Sequence, residues 1–100
     1  MHALLLAALW VLASREGATV TVRAGGLTPH ARYVVAIDLA TPHASVACQQ
    51  QWARAVLADA RGRVTARLAP AGPCAVRFDR DGWLATIDGP GTSLRSAIFH

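Results

Sequence analysis

An all-β fold, a small antiparallel β-sandwich closed by one disulfide, is what this sequence predicts. Three observations carry that expectation. Apolar residues recur with a period of two at Val20 and Val22, at Tyr33 to Leu39 and at Val64 to Leu68, the spacing that sends successive side chains to opposite faces of a strand. Turn-forming residues at Gly25-Gly26, Thr28-Pro29, Asp59 to Gly62 and Pro70 to Pro73 separate these stretches, as in sheets of short strands joined by tight connections. Finally, the chain carries two cysteines, Cys48 and Cys74, an even count that suits an oxidising compartment.

The composition bounds the rest. At 100 residues with 53% hydrophobic and 16% charged side chains, the chain is long enough for one domain and too apolar for a disordered segment. All ten basic residues are arginine, giving a formal charge of +4. Planar guanidinium groups favour carboxylate, phosphate or sulfate partners.

Residues Ala3 to Ala13 form an unbroken apolar run of eleven. As a helix the run would reach only ~16 Å, against a hydrocarbon core of ~30 Å. Val11 and Ala13 precede polar Ser14, Arg15 and Glu16, the pattern of a secretory signal peptide cut after Ala13. Residues 1–13 are therefore expected as a leader and 14–100 as the domain, secreted or periplasmic. The short basic-free start, Met1 and His2, leaves open a buried N-terminal helix or strand instead. In the exported form a Cys48–Cys74 bond would close a loop of 26 residues, contributing ~3.5 kcal/mol in the chain-entropy model.

Along the chain, Thr19, Thr21 and Arg23 alternate with Val20 and Val22, predicting a half-buried strand over Ala18 to Ala24. The clearest strand is Tyr33 to Ala40, followed by a segment with two readings. Over 42–60 a helix is possible, with Thr41 as cap, Pro42 at its first position and Gly62 at its end, which would make the domain α+β. The sheet alternative pairs Ala53 to Ala58 with Arg63 to Ala69 across the turn Asp59 to Gly62. A second hairpin is expected between Cys74 to Phe78 and Trp83 to Ile87. Gly89 to Ser93 reads as loop, and Leu94 to Phe99 as a last edge strand.

The run GLTPHARYVVAID, residues 26–38, followed by VLADARGRVTARLAPAG, residues 56–72, resembles the turn-and-strand rhythm of exported bacterial immunoglobulin-like and fibronectin type III-like β-sandwich modules. The resemblance implies a spacer, adhesin or accessory binding domain. Trp52 departs from the immunoglobulin pattern, because only three residues separate it from Cys48 and it cannot reach another strand.

No catalytic constellation emerges. His30 and His43 share the tetrapeptide TPHA, but a strand of about eight residues, ~26 Å long, separates them, so a shared metal site is disfavoured. Asp79, Asp81 and Gly82 resemble a calcium loop until the register places Arg77 at the first ligand position. No serine sits in a nucleophile-elbow context, and no cofactor is expected. A small secreted metal-binding protein or enzyme using His30, His43 and the turn aspartates is the competing reading.

The favoured site is an anion- or partner-binding patch of Arg54, Arg61, Arg63 and Arg67 on one predicted hairpin. Its partner would be a protein or an anionic cell-surface component, with peripheral membrane contact possible. A solvated strand face is the plain alternative. Nucleic acid is a poor fit, since no aromatic residues interleave the arginines. Trp52 and Trp83 are candidate aromatic contacts if exposed, and core residues otherwise.

Overall fold

The structure, a computed structural model, describes residues 8–17, 19–39, 53–69 and 82–97. Seven strands follow one another: β1 (Trp10–Glu16), β2 (Thr19–Gly25), β3 (Arg32–Leu39), β4 (Ala53–Leu57), β5 (Val64–Leu68), β6 (Trp83–Gly89) and β7 (Thr92–Arg95). They form two antiparallel sheets, one of three strands in the order β1-β2-β5 and one of four in the order β4-β3-β6-β7. Among the described residues there is no helix, so the chain is the all-β sandwich that its alternation predicts. The α+β alternative fails where it can be tested, because Ala53–Leu57 is strand; residues 42–52 lie outside the described residues.

The alternation explains how the sheets close on each other. Val20, Val22, Ala24, Val64, Ala66 and Leu68 line the inner face of the smaller sheet, while Tyr33, Val35, Ile37, Trp83, Ala85 and Ile87 line that of the larger; all are buried. Fully burying a valine, isoleucine or leucine contributes about 1.5–3 kcal/mol. Tyr33 also brings a polar tip inside. Its hydroxyl accepts the Thr28 backbone N–H at 2.9 Å, so the phenol does not enter the core without a partner.

The chain crosses between the sheets twice at one end, and the two crossings are tied together. Leu27 N–H donates to the Gly62 carbonyl at 3.0 Å, His30 N–H to Ala58 at 3.1 Å, and Ala58 N–H to Ala31 at 2.9 Å. Around Thr28 to Ala31 the Ala31 N–H bonds back to Thr28, and His30 takes a φ of 63°, a left-handed conformation uncommon for any residue but glycine.

The turn at Asp59 forms as its composition predicts, but its arms do not pair. Gly62 N–H donates to the Asp59 carbonyl at 3.0 Å, and Asp59 N–H to Arg63 at 2.9 Å. After that rung the arms part: β4 bonds β3 in the larger sheet, whereas β5 bonds β2 in the smaller one. The expected Ala53 to Ala58 hairpin with Arg63 to Ala69 is thus a crossover. The physical reason is that both arms carry apolar positions, Val56 on one and Val64, Ala66 and Leu68 on the other, that reach the same core from opposite layers.

Asp59 fixes this turn. Its carboxylate accepts the backbone N–H groups of Arg61 at 2.8 Å and Arg63 at 2.9 Å. The bond from Arg63, then that from Arg61, holds its pKa below the ordinary carboxylate value. A depressed folded-state pKa stabilises above the unfolded-state value and is lost as pH falls through the folded-state one. Asp59→Asn keeps an acceptor but removes the charge. Its melting temperature is therefore expected to lie below that of the parent at neutral pH, and the gap to close below about pH 4.

Three further expectations meet the structure. The Gly89 to Ser93 segment is not all loop: Gly89 pairs with Thr92 around Pro90-Gly91, so β7 starts at Thr92, before the expected Leu94. Residues 74–78, expected to pair with β6, lie outside the described residues. Trp10 to Ala13, placed at the end of the leader by their apolar run, form the first half of β1 and pair with Val22 to Gly25; residues 1–7 lie outside the described residues.

Candidate functional site

Two solvent faces remain once the core is filled, and their chemistries differ. On the smaller sheet the outward residues follow the usual rule for a wet face. Register sets Leu12 beside Arg23 and Thr65, Ser14 beside Thr21 and Arg67, and Glu16 beside Thr19. Two shallow depressions lie here. One of about 290 Å³ is bordered by Glu16, Thr19, Thr21 and Arg67, and one of about 350 Å³ by Leu12, Ala13, Ser14, Thr21 and Arg23.

The larger sheet breaks the rule. Its outward rows include Ala53–Ala36–Thr86–Arg95 and Ala55–Val34–Asp88–Ser93, with Leu57 beside Arg32 at one corner and Asp38 in register with Leu84 at the opposite end. Small or apolar side chains thus fill the β4 and β3 positions of both rows, where an antiparallel sheet facing water would carry polar ones, and the first charged position is Asp88 on β6. Val34 is 42% exposed and Leu57 68%. Thr86, though it points outward, is only 9% exposed. Polar groups gather along the β7 side, where the Ser93 hydroxyl donates to the Asp88 carboxylate at 2.7 Å and Arg95 stands in the next row. Chemically, this is a flat apolar floor of short side chains with hydrogen-bonding groups on one border.

The residues singled out by sequence do not assemble there. Arg67 takes an outward position on β5, Arg63 lies immediately before that strand and Arg61 sits on the Asp59 turn, all three exposed. Arg54 does not join them. It lies on the other sheet, in register with buried Val35, and is exposed at the margin of the edge strand. Arg23, missed by the hairpin reading because its strand was not expected to neighbour β5, takes the place given to Arg54. Trp83 is fully buried, a core residue that cannot serve as an exposed aromatic contact. Cys48, Cys74, Trp52, His43, Asp79 and Asp81 lie outside the described residues. Among the described residues no group of three or more His, Cys, Asp or Glu side chains converges on a metal position.

The family follows from comparison with known proteins. The model of the neocarzinostatin family matches residues 12–92, most of the chain. The chain belongs to the neocarzinostatin family. A solved structure, macromomycin, resembles it with a TM-score of 0.59 and 25% identity, over 91% of this chain and 97% of that one. No curated sequence matches at a significant level. The two-sheet architecture implied by the immunoglobulin-like resemblance therefore stands, while the specific assignment to bacterial immunoglobulin or fibronectin modules gives way to neocarzinostatin kinship. The coarser sequence expectation, a small binding module, is consistent with that family.

Proposed function

We propose that this chain is a non-catalytic carrier that holds a small, largely apolar molecule against the outer face of the four-stranded sheet. The observation that carries this is the uncharged floor of Val34, Ala36, Ala53, Ala55 and Thr86, set where solvent-facing polar residues would be the norm. Short side chains suit such a role, because they let a planar ligand approach the strands while larger residues such as Leu57 and Arg95 stand at the margin. Membership of a family of small ligand-carrying proteins supports it. The ligand class thereby changes from the protein or anionic surface component expected from the arginines to a small molecule. Export, expected from the cysteine pair, fits a carrier that delivers its cargo outside the cell.

Nile red, a neutral planar dye whose emission rises in apolar surroundings, is a suitable probe. The parent protein is expected to bind it. Ala55→Arg and Ala36→Arg, which place a charge and a long side chain on the floor, are each expected to weaken binding by about tenfold or more, with circular dichroism unchanged. Equal binding by all three proteins would move the site elsewhere.

A further inference from the structure

The opposite face of the molecule carries a second surface. At the end of the smaller sheet where both crossovers lie, exposed Trp10 and Leu12 stand on the outer side of β1, and exposed Leu9 immediately precedes the strand. Trp10 pairs with Gly25, and its indole lies where a side chain on Gly25 would stand, so the ring covers that glycine. Leu12, 65% exposed, is beside Arg23. Arg63, immediately before β5, and Arg61, on the turn, are exposed at the same end. Among the described residues one local carboxylate, Asp59, stands against these three guanidinium groups, already accepting the Arg61 and Arg63 backbone N–H groups. Glu16 is six residues along β1, about 20 Å away.

We propose that this end of the three-stranded sheet docks on an anionic lipid bilayer surface. Charge complementarity argues for a negative partner, since basic side chains close to such a surface gain from its potential within a Debye length. The outward apolar pair, Trp10 and Leu12, then decides between sources of negative charge. A soluble polyanion would leave Trp10 and Leu12 in water, whereas a bilayer accepts an aromatic ring at headgroup level and an aliphatic side chain just beneath it. Arg67 contributes less, because it borders the same depression as Glu16.

The test is partition of the full chain onto sedimented vesicles of phosphatidylcholine with phosphatidylglycerol, or of phosphatidylcholine alone, alongside retention on heparin. The parent protein is expected to bind the anionic vesicles only, less tightly as salt rises. The triple variant R23S/R61S/R63S is expected to bind about a hundredfold more weakly, at about fivefold for each basic residue. Leu12→Ser should lose about tenfold on vesicles and nothing on heparin. All four substitutions fall on exposed side chains, so their melting curves serve as the folding control. Absence of partition onto anionic vesicles would overturn the proposal. So would vesicle binding untouched by Leu12→Ser, which would mark a simple polyanion site. Dye capture by the four-stranded sheet is read separately, so that either surface can fail without the other.

Discussion

Replacing Gly62 with alanine is expected to lower the unfolding free energy by about 3 kcal/mol, from about 1–2 kcal/mol for a left-handed residue with a Cβ and the rest from collision and a disturbed hydrogen bond. Gly62 has a φ of +72°, and a Cβ there would run into the backbone carbonyl of Leu27. That carbonyl cannot step aside as a flexible side chain would, because the Leu27 N–H is itself bonded to Gly62. Gly91 supplies the control. Its φ is +64° but nothing lies within 4 Å of the added carbon, so Gly91→Ala should lose only the conformational part, about 1–2 kcal/mol. Denaturant titrations of both variants check the difference; equal losses would show that the tie between the two crossovers contributes nothing.

The second large effect is expected at Trp83. The side chain is fully buried and belongs to the core cluster that both sheets share, in register with Leu39 at its end of the larger sheet, and truncating a buried aromatic to alanine costs about 3–5 kcal/mol. Domains of this size have only about 5–15 kcal/mol to lose. Trp83→Ala should therefore melt far below the parent protein by circular dichroism, if it folds at all, whereas Leu12→Ser should melt alongside it. A Trp83→Ala protein with parent-like stability would mean that the core does not centre on β6.

These effects also mark what the sequence made legible. Strands β2 and β5 show clean alternation of apolar and polar residues, and β3 is legible from its run of β-branched and aromatic residues between turn signals. β1 was hidden by Trp10 and Leu12, apolar residues on its outward side that erase the period of two and merge it with the apolar run before it. The turn at Asp59 was readable since its chemistry is local, an aspartate accepting two backbone N–H groups with a glycine three residues on. Which strands its arms join was not, because pairing is decided by layers distant in the chain. That one error carried Arg54 into a patch it does not share and left Arg23 out.

The binding face was present in the sequence as a signal of another kind. Val34 and Ala36 are apolar on the side of β3 that alternation assigned to solvent, and a strand apolar on both sides expects a cover on both. Only the register, which sets Ala53, Ala55 and Thr86 next to them, turns two unremarkable residues into a floor.

Amide chemical-shift mapping during a Nile red titration tests the small-molecule carrier most directly. Shifts are expected to concentrate at Val34, Ala36, Ala53, Ala55 and Thr86 and to fade toward Thr21 and Arg67 on the far sheet. Perturbations centred instead on Thr21 and Arg67, or none at saturating dye, would contradict it.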